Sequence, residues 1–534
     1  MTFRPIAISC LLMLALAAQA APSGTPAGAS AAAQPATVGI DWLVASRDAD
    51  VDAAFARAKA ERKPLFLYWG AKWCPPCNHV QATLFNRQEF IARSRAFVPV
   101  YVDGDKPGAQ RLGERFKVRG YPTMVLFSAD GAELIRLPGE VAAQQYTEVL
   151  SLGMAARRPL KAVVADARDA ARSKSVDAAE WRMLSFYSWG TDEQQIVPKA
   201  ELAQLLQQLA ANAPDADRET ADRLWLRSLA ASRTKTPSAE HRDRLIRLLD
   251  DPARARAQMD LLGNDTVALV KATSAEQTPQ RQQLIARFEL ALDRLATDAS
   301  LSRADRLGAR LARVELLRLD LDSGQTPKLP ASLLTAVRAQ VERDDREITD
   351  GYERQAVITS AAYLLARAGL LDESDRLLKA NLAKSHSPYY LMSGLASNAR
   401  ARGDNADALR WYAQAHQRSV GSATRLQWGA SHLAALIDLA PQAAATIEAV
   451  ASQVLDDAAD KPDAFYERSG RSLKRVSSKL LAWADEAQDQ AKARAALGRL
   501  QRQLDSICGA LPAADAARTT CQALLRPAAA GKAS

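Results

Sequence analysis

Trp73-Cys74-Pro75-Pro76-Cys77 sets two thiols three positions apart. If this segment opens a helix, both sulfurs sit in its first turn, within bonding reach. The chemistry open to them is reversible dithiol–disulfide exchange. At a helix start the first sulfur meets unpaired backbone N–H groups and the positive end of the helix dipole, which favours its thiolate. Pro76 suits that place because an N–H in the first turn would have no partner. A zinc site would want a second cysteine pair close by. The only later cysteines, Cys508 and Cys521, lie 13 apart rather than three. A purely structural disulfide is the remaining alternative for Cys74 and Cys77.

The elements around the pair are those this chemistry needs. Pro64–Trp69 is a short apolar run suited to a buried strand, and Pro76 to about Phe85 reads as the helix after it. Val51–Arg62 reads as a preceding helix and Phe97–Asp103 as a second strand. Ala109–Phe116 is helical, Met124–Ser128 and Glu133–Leu137 form a hairpin across Ala129-Asp130-Gly131, and Glu140–Met154 closes the unit as a helix. Asn86 to Glu89 has the pattern of an N-cap with an acid at the third helical position. The order gives a parallel strand pair, then a hairpin, with helices on both faces.

Gly120-Tyr121-Pro122-Thr123 stands just before the strand Met124–Ser128, with Pro122 45 residues after Cys77. Together with FLYWGAKWCPPC, the VDGD turn and VRGYPTMVLFSADG, it resembles the thioredoxin superfamily over essentially all of 39–155. The resemblance implies an α/β thioredoxin-like fold and a catalytic pair, Cys74 and Cys77. It implies a cis peptide bond before Pro122, with Trp73, Tyr121 and Pro122 binding substrate. Two positions depart from the family's pattern. The buried Asp usually found six residues before the first cysteine is Tyr68 here, and the frequent Lys on the next strand is Pro99. Glu114 or water is left as proton acceptor. The Pro-Pro dipeptide is seen in tryparedoxin-like and nucleoredoxin-like members.

From about Pro159 the character changes to helical periodicity without a convincing strand. Ala362…Ala366-Arg367-Ala368-Gly369 is echoed 34 residues on by Ala396…Arg400-Ala401-Arg402-Gly403, and the second copy runs on into Trp411-Tyr412. Period and turn position resemble the tetratricopeptide repeat, clearest over 355–420. The expected architecture is therefore a thioredoxin-like domain, 39–158, and a large all-α helical-repeat region, an α-solenoid, over 159–534. Solenoids offer extended surfaces to partners.

The 534 residues are 48% hydrophobic and 25% charged, which excludes wholesale disorder. A net charge of +9 with both signs interleaved reads as a solvated surface rather than a nucleic-acid site. Met1–Ala21 reads as a cleavable signal peptide, with Arg4, an apolar run containing Cys10, and small residues at Ala18 and Ala20. Residues 22–38 read as a flexible leader. The mature chain is then periplasmic or secreted and not membrane-embedded, where Cys508 and Cys521 can form a structural disulfide. His79 reads as a helix-surface residue or a tuner of the thiolate. His241, His386, His416 and His432 show no ligand spacing, and no metal or organic cofactor is implied. Trp69 and Trp73 flank the motif. The functional expectation is a thiol–disulfide oxidoreductase acting on protein thiols and disulfides, reductase or isomerase rather than oxidase, recharged by a membrane thiol reductase. The alternative is a binding scaffold with a redox-gated or vestigial thioredoxin module.

Overall fold

Leu65–Gly70 is buried at all six positions, as an apolar run in mid-sheet requires. It is the second strand of a unit whose order is β1 (Leu43–Val44), α1 (Asp48–Glu61), β2 (Leu65–Gly70), α2 (Pro75–Val80), α3 (Gln88–Arg93), β3 (Val98–Asp103), α4 (Ala109–Arg115), β4 (Thr123–Phe127), β5 (Glu133–Leu137) and α5 (Ala143–Ala155). The computed structural model describes residues 39–192, 195–232, 237–321, 325 and 327–526. The expected signal peptide, the leader and Cys10 lie outside them.

The sheet order is β1-β3-β2-β4-β5. β2 runs parallel to β3 and antiparallel to β4, and β4 pairs antiparallel with β5. Side chains alternate across a strand, so Leu65, Leu67 and Trp69 join the core under α1 and α4, while Phe66 and Tyr68 join the core under α5. Both faces are covered, as strands this apolar demand. This is the α/β thioredoxin-like fold expected from the motif order. The short β1 was not anticipated. The cap expected at Asn86 is displaced: α3 starts one residue later, from Arg87, without a side-chain cap, and Asn86 instead accepts from Gln81 Nε2 at 3.1 Å.

Every regular element described from Leu160 to Gln522 is helical. The sequence echo corresponds to two helical hairpins, Gly351–Arg367 with Leu371–Asn381 and Pro388–Ala401 with Asn405–Arg418. Gly369 and Gly403 occupy matching turns with φ of 83° and 78°, a left-handed conformation that L side chains rarely adopt. Ala396, Ala399, Ala408 and Ala415 are fully buried, which lets the paired helices approach closely. An all-helical region consistent with helical repeats thus follows the thioredoxin-like unit. Among the described residues no helix is long and apolar enough to cross a membrane.

The apolar core does not stop at the expected boundary near 158. Phe66, Tyr146 and Val149 share one continuous cluster with Leu160, Trp181 and Leu224. Arg136 on β5 is buried, and its guanidinium donates to the carbonyls of Phe116, at 2.6 Å, and Thr191, at 2.7 Å. A second seam joins the segment around the cysteines to helices beyond Leu307.

Candidate active site

The end of β2 delivers Ala71-Lys72-Trp73 to the start of α2, and Cys74 is the helix N-cap. Pro75 and Pro76 fill the first helical positions, where a backbone N–H would have no intrahelical partner. The first N–H available to the Cys74 sulfur is therefore that of Cys77, 3.3 Å from Sγ. Cys74 and Cys77 form a disulfide, with Cα atoms 5.2 Å apart. The Tyr121–Pro122 peptide bond is cis. The Tyr121 carbonyl oxygen stands 3.5 Å from Cys74 Sγ, in position to accept from the thiol once the pair is reduced.

Asn78 locks this turn. Its Nδ2 donates to the carbonyls of Lys72 and Cys74, each at 2.8 Å, and its Oδ1 lies 3.1 Å from His386 Nε2. Burial, with Lys72 nearby, pushes the His386 imidazole below its usual range. A neutral His386 suits this contact, donating from Nε2 to Asn78 while Nδ1 faces Ser387.

The first cysteine of such a pair is expected to be exposed, but here Cys74 and Cys77 are each only 3% exposed. The cause is the helical region, which lies over the face of the pair. Trp73 is stacked on Tyr390 with ring centroids 5.9 Å apart, and meets Trp428 edge-on at 5.1 Å. The Arg468 guanidinium sits 4.3 Å from the centre of the Trp73 ring and 5.4 Å from that of Tyr121. Trp73 Nε1 donates to Asp105, whose carboxylate also takes the N–H and hydroxyl of Thr424. Asp463 accepts the N–H groups of Gln110 and Arg111 at the start of α4. Gln110 in turn donates to Tyr121 Oη at 2.9 Å. Trp73 is thus held inside an intramolecular interface rather than walling an open site. Besides the cavity next to Cys77, two clefts lie beside the pair. One, of about 210 Å³, is bordered by Pro75 and Pro76, and one, of about 270 Å³, by Pro76, Tyr121 and Pro122.

The other candidates fall as follows. Trp69 is core, packed near Phe116. His79 faces Asp305, with Nε2 3.8 Å from the carboxylate. Tyr68 is buried among Phe85 and Tyr101, and burial raises its phenol far above the physiological range, so it cannot accept a proton. Glu114 is exposed on α4, and the carboxylate bordering the cavity next to Cys77 is Asp103. Among the described residues no three His, Cys, Asp or Glu side chains are grouped to hold a metal ion. Cys508 and Cys521 are disulfide-bonded, with Cα atoms 5.6 Å apart. The last helix starts at Ala516, so Cys521 lies in its second turn, within reach of the end of Gln490–Ala510. Asn78, Tyr390, Trp428 and Arg468 carried no local sequence signal for the site, and Asp103 and Asp105 entered only as part of the VDGD turn.

Fold, helix-start disulfide and the facing Tyr121 carbonyl define a thioredoxin-like redox module, and the comparisons agree. The family described as a thioredoxin-like domain matches residues 51–153. The thiol:disulfide interchange protein DsbD 1 of Pseudomonas aeruginosa is 30% identical over 123 residues, 22% of this chain and 21% of that protein. DsbD of Ralstonia nicotianae is 29% identical over 136 residues, 24% of this chain and 22% of that protein. The chain thus spans about a fifth of the length of the curated relatives it matches. A solved structure titled DsbH oxidoreductase is 21% identical, covers 24% of this chain and 96% of its own, and has a TM-score of 0.20. Residues 51–153 are a thioredoxin-like domain related to the DsbD thiol:disulfide interchange proteins.

Proposed function

We propose that this chain is an exported thiol–disulfide oxidoreductase that reduces or isomerises protein disulfides through Cys74 and Cys77, with the helical region docking the partner. The observation that carries this reading is Cys74 at the start of α2, its sulfur taking the Cys77 N–H and facing the Tyr121 carbonyl. In the reducing direction the Cys74 thiolate attacks a substrate disulfide and forms a mixed disulfide. Cys77 then attacks Cys74, closing the Cys74–Cys77 bond and releasing the second substrate thiol. A membrane thiol reductase of the same compartment would return the two electrons.

The donors around Cys74 support that direction. Pro75 and Pro76 lack N–H groups, so the thiolate is only modestly stabilised and the disulfide is a weak oxidant. The test is the equilibrium of the full chain with glutathione, together with turnover of a protein disulfide. A potential near thioredoxin's, about −270 mV, supports the reductase reading, and one near about −120 mV overturns it.

A second reading has its own observation. With both cysteines buried under Tyr390, Trp428 and Arg468, oxidation state can gate how the helical region is held. On that reading the chain is a redox-gated scaffold. Reduction should then change the scattering profile and protease sensitivity of the full chain while protein disulfides are not turned over.

A further inference from the structure

A cavity of about 330 Å³ borders Cys77. Its other walls include Asp103 at the end of β3, Lys72, Tyr68 and Tyr101 from the sheet side, and Tyr352 from the helix Gly351–Arg367. The volume is ample for several waters. The resolving step puts a demand on this place. Cys77 attacks only as a thiolate, so its proton must go to a base within reach. Tyr68 and Tyr101 cannot serve, because burial holds their phenols protonated. Lys72 brings a positive charge, and Tyr352 a further phenol. Among the described residues Asp103 is the one carboxylate in the lining. Its Oδ1 accepts the Asp105 N–H at 3.1 Å, which fixes its orientation.

We propose that Asp103 is the proton acceptor for Cys77, reached through water in this cavity. The proposal rests on the thiol–disulfide reading above. With a mixed disulfide on Cys74, water passes the Cys77 thiol proton to the Asp103 carboxylate. The Cys77 thiolate attacks Cys74 Sγ, and the Cys74–Cys77 bond forms as the bond from Cys74 to the substrate sulfur breaks. The electron pair leaves on the substrate sulfur, which takes a proton from solvent. The two cysteines are oxidised and the substrate disulfide is reduced. Burial, and Asp105 beside it, raise the Asp103 carboxyl, while Lys72, Lys106 and the Asp105 N–H work against the rise. A carboxyl raised in this way is a stronger base than a solvated one, and is better matched to a thiol.

The test uses the full chain, reduced and then mixed with cystamine. After acid quenching, the tryptic peptide Trp73–Arg87, which holds Cys74 and Cys77 and no other cysteine, is followed by mass spectrometry. A mixed disulfide appears first and then converts to the internal disulfide. Asp103→Asn keeps the oxygen that accepts the Asp105 N–H but removes the base. The expected result is unchanged mixed-disulfide formation with conversion at least about tenfold slower at pH 7. The gap should close as pH approaches the thiol range near ~8.5, and Asp103→Glu should restore most of the rate. Equal conversion in wild type and Asp103→Asn overturns the assignment. So does a wild-type conversion rate that tracks hydroxide across the whole pH range, a measurement that needs no variant. If the wild-type chain forms no mixed disulfide, the redox reading itself fails and takes the proposal with it.

Discussion

The indole N–H of Trp73 donates to Asp105 Oδ2 at 3.2 Å, tying the residue beside Cys74 to the carboxylate that starts the helix Ser422–Leu439. Asp105 takes the Thr424 N–H at 2.8 Å and its hydroxyl at 2.7 Å, capping that helix from outside its own segment. Gly421 makes room for it, since a Cβ there would come within 2.6 Å of the carboxylate carbon. One side chain therefore holds Trp73 and the covering helices together. Asp105→Ala leaves those donors without a partner, at a cost of about 2–4 kcal/mol to the closed arrangement. Each ~1.4 kcal/mol raises the open fraction tenfold. Reduction of the Cys74–Cys77 disulfide by a bulky phosphine should therefore be at least about tenfold faster than in wild type. An unchanged rate would show that the cover does not limit access.

The roles within the pair give a second expectation. Cys74 is the N-cap, with its sulfur on the Cys77 N–H, whereas Cys77 lies inside the first turn. The first position is the better nucleophile. Cys77→Ser should accumulate covalent complexes with partner proteins in cells, and Cys74→Ser should not. Because both sulfurs are buried, adding Asp105→Ala to Cys77→Ser should increase the trapped amount. Gel shifts under non-reducing conditions read both effects. Equal trapping by the two single variants would remove the assignment.

The parts of this architecture legible in the sequence are those encoded by neighbours in the chain. Leu65–Gly70 as a buried strand, the helix after Cys74 and the hairpin before Glu133–Leu137 all follow from local patterns of two to four residues. The matching turns at Gly369 and Gly403 follow from local similarity. The Tyr121–Pro122 cis bond was legible only through a family motif. What covers the site was not legible. Tyr390, Trp428 and Arg468 meet Trp73 across more than 300 residues, and nothing in their own segments distinguishes them from core aromatics or a solvated arginine. Asp105 reads as part of a turn, although its carboxylate serves Thr424, 319 residues away. Residue type alone makes Glu114 a candidate proton acceptor. It is the register of β3 on β2, with Asp103 opposite Gly70 at the strand ends, that brings Asp103 to the cavity instead.

Cys508 and Cys521 close a loop between the helix Gln490–Ala510 and the short helix Ala516–Gln522, with a sequence separation of 13. Both are fully buried in a cluster with Leu473, Trp483 and Leu504, remote in sequence from the Cys74 pair. A loop of this length constrains the unfolded chain by about 3 kcal/mol. The Cys508→Ser, Cys521→Ser double variant should lose about that much in denaturant unfolding and keep the turnover of the Cys74–Cys77 pair. Normal stability with lost turnover would instead make the second pair an electron relay.

The last expectation concerns pH. His432 is part-buried beside His416, with ring centroids 5.9 Å apart, and its Nδ1 has no hydrogen-bond partner among the described residues. Burial, and then the neighbouring His416, push its imidazole down to about 4 from an ordinary value of 6.5. The unfolded chain therefore binds a proton at His432 before the folded chain does. The sign follows: this contribution to stability is fully present above about pH 6.5 and is lost as pH falls toward 4. Asp457, which accepts from His416 Nε2 and Arg425, is held below the usual carboxylate range, so its own contribution is lost only at lower pH. At pH 4.5 the penalty at His432 is on the order of 2 kcal/mol. His432→Leu removes the titrating group. Its urea midpoint should therefore fall less than wild type's between pH 7 and pH 4.5, by the equivalent of about 2 kcal/mol. Parallel losses in the two proteins would mean that His432 is protonated as readily in the folded chain as in the unfolded one.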